Sequence, residues 1–437
     1  MRPGKLMDWP SRLLLVVLLG LLSVLGVVVA GVSLHAHAAP AATLTVTDCS
    51  GETGPGRIGT VIGSASAGDT ITFSCSGTIP IISTLTISKN LTLDGSGQSV
   101  TLDGGNSVQV LSVNSGVSFT LNALTIAHGL SNNGGGLADI GGTVSISNST
   151  FANNSSPGAG GGLFNVGGTV SISNSTFANN SAGAEGGGLF NQFSSTVTIS
   201  NSTFASNSAS RGGGGLFNQP LGVLTISNST FASNSATFVG GIDNAGTGMR
   251  IGGSIVANNT GGNCIGDTLS TGYNLESSTD CGFTGTGDLQ NTDPKLDPSS
   301  LQNNGGPTQT LALQPDSAAV DQIPVGSSCP ATDQRGVSRP QGPTCDIGAF
   351  EMTAADGLTV MIHVVNSFHL KKGLQTSLDA KLRAALKAVQ AGDTATACSD
   401  LSDFIGQVQA QSGKGLTTAQ ATQLVNEATV IKTRLGC

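Results

Sequence analysis

The chain of 437 residues is sparing with side chains that could do acid, base or metal chemistry. Between Leu91 and Gly262 the charged or titratable candidates are Asp94, Asp103, His128, Asp139, Glu185, Arg211, Asp243 and Arg250. Two chemistries would use them. A glycoside hydrolase needs two carboxylic acids facing each other across a groove, about 5–9.5 Å apart. A lyase needs carboxylates clustered around calcium, with a basic residue to take a proton. Asp94 and Asp103 each precede a glycine at a strand end, where an Asp-Gly turn is the ordinary reading. His128 reads as a solvated or turn-bonded imidazole rather than a base. The rest fall in different copies of a repeat and at different turn positions. No catalytic residue, metal ligand or cofactor is therefore assigned.

Eight cysteines form four sequence-neighbour pairs: Cys49/Cys75, Cys264/Cys281, Cys329/Cys345 and Cys398/Cys437. None has the close double spacing of a zinc site, and an even count in an exported chain is expected to be disulfide-bonded. Eight cysteines allow 105 connectivities, so this pairing is an expectation. Charged residues make up 10% of the chain and the formal net charge is −8, with no basic run. That composition argues against a nucleic-acid partner.

These residues are positioned by a repeat. From Gly134 to Asn263 a glycine run and an aliphatic residue recur at Leu137, Leu163, Leu189, Leu216 and Ile242, in steps of 26, 26, 27 and 26 residues. Phe151, Phe177, Phe204 and Phe231 keep step, and Val256 fills the slot in the last copy. A fixed period of this length marks a solenoid. The copies alternate with period 2 and are rich in Ser, Thr, Asn, Val and Ile, so the unit is a strand-built coil. The predicted fold is mainly β, a right-handed parallel β-helix, with Val144, Val170, Val197 and Leu224 in an inward stack. Asn148, Asn174, Asn201 and Asn228 are expected to form an amide ladder at a bend. Asp139 falls in the slot of Asn165, Asn191 and Asn218 and reads as a ladder member, with Asp243 as the outward neighbour of that row. Repetition at ladder positions also explains the Asn-Ser-Thr triplets better than glycosylation does. The glycine runs lack the alternating Asp of calcium-binding rolls and open no βαβ unit, which removes nucleotide binding.

Several segments resemble known families. Phe151-Ala152-Asn153-Asn154 and Gly160-Gly161-Gly162-Leu163, with their copies, resemble the short repeats of polymorphic outer-membrane proteins and related bacterial surface β-helices. Leu44-Thr45-Val46-Thr47, Gly54-Pro55-Gly56, Ala67-Gly68-Asp69-Thr70-Ile71-Thr72-Phe73 and Lys89-Asn90-Leu91-Thr92 resemble the opening of choice-of-anchor Q proteins. The family's Leu-Arg-x-Ala-Ile stretch is replaced by Arg57-Ile58-Gly59-Thr60-Val61-Ile62. Asn304-Gly305-Gly306-Pro307, Asp333-Gln334-Arg335-Gly336, Arg339-Pro340 and Cys345-Asp346-Ile347-Gly348-Ala349-Phe350-Glu351 resemble its closing signature. What this resemblance implies is a secreted or surface β-helix with no catalytic residues.

The expected organisation follows. Residues 1–38 read as an export signal, charged and then apolar, ending at Ala36-His37-Ala38; the alternative is an uncleaved anchor, the one route to a membrane. Residues 39–263 are the β-helix. Residues 264–352 are its last coils and a disulfide-pinned plug over the open edge, in which Arg335 or Arg339 pairs with Asp346 or Glu351; the alternative for this cluster is an active site. Residues 353–437 carry a helical period at Leu374, Leu378, Leu382 and Leu386, then at Leu401, Phe404, Ile405 and Val408, then at Leu424, Ala428, Ile431 and Leu435. That stretch is similar to FIMAH-type helical domains through Asp403-Phe404-Ile405-Gly406-Gln407-Val408.

Alternation places Phe164, Phe190 and Phe217 outward beside Leu163, Leu189 and Leu216, one ring above another. Such an apolar stripe would mark a binding surface suited to a sugar ring or a partner's apolar edge; the alternative is that a loop covers it. The functional expectation is an extracellular or cell-surface, non-catalytic module, adhesive or structural, whose partner is a glycan or a surface protein. The runner-up is a polysaccharide-active enzyme, pectate-lyase-like or a glycoside hydrolase. A spacer without a ligand is the third class.

Overall fold

The computed structural model describes residues 41–246 and 248–437; the predicted export signal lies outside them. Residues 42–437 form one compact unit. Within it the chain winds into a right-handed parallel β-helix whose strands belong to three long sheets. Sheet A has ten strands, sheet B nine and sheet C eight, and every pairing within them is parallel. A three-stranded sheet, Ser155–Ser156, Ser181–Ala182 and Ser208–Ala209, forms an arm between B and C.

The period dictates the register. Val144, Val170, Val197 and Leu224 lie on one another in sheet A and are fully buried. Phe151, Phe177, Phe204 and Phe231 form a column in sheet B with ring centroids 4.6 Å apart, the spacing of the strands that carry them. Val256 pairs with Phe231 and ends it. One coil cannot bury its own apolar side, and each is completed by the next.

Both ends of this column are closed. Helix α1 (Ile58–Ser64) turns Ile58, Val61 and Ile62 into the first coils, and the Cys49–Cys75 bridge ties its flank to the second strand. At the far end Phe283 and the Cys264–Cys281 bridge enter the same core. Cys329–Cys345 and Cys398–Cys437 complete the four bridges, each joining sequence neighbours.

The closing segment departs from expectation. Its first part, through Cys281 and Phe283, closes the far end, but from Thr308 to Ala349 it folds back along the outer surface of sheet B. Thr176 Oγ1 donates to the Gln309 carbonyl at 2.6 Å, Gln334 bridges Thr176 and Thr203, and the Ala349 amide donates to Thr230 Oγ1. Small side chains beside those threonines, Ala205 and Ala232, let Leu311 pack against the strands. Ile255, Ala257 and Leu275 from the last coils share a second core with Ile323, Ile347 and Phe350 of this segment.

That second core continues into the helices. Ahead of the three expected helices stands a fourth, helix α2 (Ala354–Ser367), opened by a capping box from Thr353 and Asp356. It is followed by α3 (Lys372–Gln390), α4 (Thr394–Gln411), capped by Asp393, and α5 (Thr418–Leu435). Leu358, Leu382, Phe404, Leu424 and Ile431 meet in the middle, and Arg434 anchors α5 to Asp321 and to the Met352 carbonyl. No helix among the described residues is long and apolar enough to cross a membrane.

Candidate binding face

The residues that could have done chemistry are mostly engaged in structure. Asp94 Oδ1 accepts from the Ser96 amide at 3.0 Å and Asp103 Oδ1 from the Gly105 amide at 2.8 Å, as Asp-Gly turns require. His128 sits in a left-handed turn (φ 49°) with Nδ1 3.0 Å from Asp103 Oδ2. Asp139 pairs in register with Asn165 and is fully buried; Asp243 pairs with Phe217, next to the Asn244 rung. The fold brings three of them together. Arg211 Nη1 lies 3.4 Å from Glu185 Oε1, and burial, helped by the charge of Glu185, pushes Asp243 up to about 6. Arg250 stands apart on sheet A. Among the described residues no three His, Cys, Asp or Glu side chains group as a metal site would require.

In the closing segment the acids and arginines form a latch. Arg339, fully buried, donates to the carbonyls of Asp346 and Gly348 and lies 3.1 Å from Glu351 Oε2. Glu351 also accepts from the Asp346 and Gln341 amides, and Asp346 from the Asp321 and Met352 amides. Arg335 pairs with Asp333 and with Asp356 of α2, and its guanidinium lies 3.7 Å from the Phe350 ring centre. Burial raises both Asp346 and Glu351. With their oxygens on backbone amides, these carboxylates hold the segment's shape.

The phenylalanine stripe needs correction. Phe164, Phe190 and Phe217 do stack, at 5.3 and 5.4 Å, but Phe164 and Phe190 are 8% and 3% exposed and Phe217 is half-buried. The rings lie outside the solenoid core as alternation requires, but the chain doubles back over the outer side of sheet C and covers them. Gly160 and Gly186 turn at φ +68° and +69°, and a Cβ on either would stand 2.9 or 2.8 Å from the Cβ of Phe164 or Phe190. Only glycine permits that turn and that approach at once. With Ala159 the rings form a satellite core beneath the arm.

The asparagine ladder also moves. Asn148, Asn174, Asn201 and Asn228 occupy left-handed turns and do not bond to one another; Asn201 and Asn228 instead donate to carbonyls of the closing segment. The amide ladders run through Asn154, Asn180, Asn207, Asn234 and Asn259, and through Asn165, Asn191, Asn218 and Asn244.

Among the described residues nothing covers the outer surface of sheet A. Its outward positions form columns: Ser145, Ser171, Thr198 and Thr225 in one, Thr143, Thr169 and Thr196 in another. All are exposed or half-buried. Neighbours within a column stand about 4.8 Å apart, and columns about 7 Å apart, because alternate residues share a face. Internal bonding is weak; Ser171 Oγ reaches Ser145 Oγ only at 3.3 Å. No charged side chain stands among the outward positions of sheet A from Ser118 to Ser227. Along the corner where sheet C turns into A, Ile140, Phe193 and Leu221 are 45%, 51% and 63% exposed and make an apolar rim. Sequence reasoning missed Phe193. Its turn falls in the one 27-residue step, and that irregularity was the available signal.

No family model matches the chain, and no curated protein does. Among solved structures the chain is similar to the crystal structure of Jun a 1, the major allergen from cedar pollen, at 14% identity and a TM-score of 0.37, covering 58% of this chain and 78% of that one. The likeness is distant and brings no site residue to this chain.

Proposed function

We propose that this is an exported, non-catalytic β-helix module that binds a neutral glycan across sheet A, as an adhesive or structural component of a bacterial envelope. The observation that carries the proposal is the uncovered, uncharged set of hydroxyl columns beside an exposed aromatic. Hydroxyls donate and accept to sugar hydroxyls, and Phe193 offers a face to a pyranose ring. Four disulfides support an extracytoplasmic setting. The likeness of the opening and closing motifs to choice-of-anchor Q proteins, and of the tail to FIMAH-type domains, belongs to this proposal. Co-sedimentation with insoluble neutral polysaccharides and a glycan array test it. Retention should be lost in Ser171→Lys/Thr198→Lys and weakened in Phe193→Ser, with unfolding unchanged. Retention equal to wild type in both would contradict the proposal.

A polysaccharide-active enzyme is the second reading, and the meeting of Glu185, Arg211 and Asp243 favours it. Release of reducing ends or unsaturated products that disappears in Asp243→Asn would establish that reading in place of the first.

A further inference from the structure

One row of side chains along the solenoid is incomplete at its first member. At the corner between sheets C and A, Asn165, Asn191, Asn218 and Asn244 stack in register. Each amide nitrogen donates to the side-chain oxygen of the next coil, at 2.9, 2.7 and 2.7 Å, and Asn244 ends the row on the Asp267 carbonyl. The direction of the row is fixed from outside it. The same nitrogens donate to carbonyls of their own turns, Gly168, Ser195 and Gly222. Turning the amides over would point oxygen at oxygen in every coil. Each side-chain oxygen must therefore accept from the coil before it.

For Asn165 that coil supplies Asp139, its register partner. Asp139 Oδ1 accepts from the Gly142 amide at 2.8 Å, whereas Asp139 Oδ2 and Asn165 Oδ1 are both buried with no partner. These two oxygens border the same spot, 2.0 and 2.7 Å from where a Cβ on Gly168 would stand. The parallel row at the arm has no such fault, because its first member, Asn154, accepts from the Gly129 amide. Two buried acceptors side by side lack one thing, a hydrogen between them.

We propose that Asp139 is a neutral carboxylic acid in the folded protein and donates its Oδ2 proton to Asn165 Oδ1, so that one proton joins the first coils to the asparagine-laddered block. The surroundings fit. The strand below (Leu111–Val113), the strand above (Leu163–Val166) and the turns Asn114–Val117 and Gly167–Gly168 carry no charged or titratable side chain. Burial accordingly pushes Asp139 up to about 6. A folded-state value above the unfolded one contributes stability that is complete below the unfolded value near 3.8 and is lost as pH rises through about 6. Ionisation would place a charge against the Asn165 carbonyl oxygen and open the joint.

The test is Asp139→Asn, which installs the residue the other coils use. Other buried carboxyls, among them Asp243 and Glu427, titrate in wild type and variant alike, so the observable is the difference between the two proteins. The denaturation midpoints should nearly coincide at pH 4 and separate by pH 7, the variant gaining roughly 100-fold in its folded-to-unfolded ratio. A carbon-13 carboxyl resonance titrating near pH 6 in wild type should be missing from the variant. A difference that does not change with pH, or an Asp139 carboxyl already ionised at pH 4.5, would overturn the proposal.

Discussion

Sheets A and B are wound from the same coils and carry similar outward residues, yet their surfaces end in opposite states. On sheet B the outward residues are Thr176, Thr203 and Thr230 with Ala178, Ala205 and Ala232, all buried. The hydroxyls of its threonines bind the chain's own closing segment, and its alanines admit Leu311. On sheet A the outward residues of the three strands from Thr143 to Ser200 are all Ser or Thr, and none of the described residues lies over them. A regular hydroxyl column is therefore a general docking surface. What decides its fate is whether small neighbours let another backbone come close and whether side chains elsewhere match its interval. Sheet B shows that the matching is possible, because Gln334 spans two coils to reach both Thr176 and Thr203. Sheet A offers the same kind of surface to something outside the molecule.

The comparison can be broken most severely at the latch. Arg339→Leu leaves Glu351 buried without its partner, and such losses cost about 3–5 kcal/mol. The cover should come off sheet B first. Limited proteolysis is expected to cut within 293–352 while the coils resist, and unfolding should split into two transitions. Phe190→Ala comes next. A buried ring lost from a satellite core should cost about 3 kcal/mol in chemical denaturation and leave glycan retention intact, which separates the covered stripe from the open face. The smallest effects are the most telling. Gln334→Ala strands the buried Thr203 hydroxyl on sheet B and should cost about 1–3 kcal/mol. Thr198→Ala, at an outward position on sheet A, should stay within about 0.5 kcal/mol.

Much of this was legible in the sequence, for a physical reason. Stacked coils force each side chain to meet its own counterpart, so a constant step fixes the Val144 and Phe151 columns, and Asp139 could be placed among asparagines before any coordinates. Faces are harder to read. Each coil has several asparagines, and the period does not say which of them ladder; the sequence points to Asn148 at a bend, and Asn154 forms the ladder instead. That depends on left-handed turns at Asn148 and Asn153 (φ 50° and 57°), which Asn adopts more readily than most residues. Alternation set Phe164 on the outer side of its strand but described a strand with one covered side, and the arm covers the second. The cover on sheet B was invisible because Gln334 and Thr203 are 131 residues apart and share no pattern. The meeting of Glu185, Arg211 and Asp243 was hidden likewise, since they occupy unlike slots of three coils.

The most direct measurement is thiol labelling of single cysteines placed on the two surfaces of the oxidised protein, Ser171→Cys on sheet A and Thr203→Cys on sheet B. A bulky maleimide should modify position 171 at the rate of an exposed thiol and leave position 203 untouched until the closing segment is displaced by denaturant. Equal rates at the two positions in the native protein would contradict the account, since both surfaces would then be open or both covered.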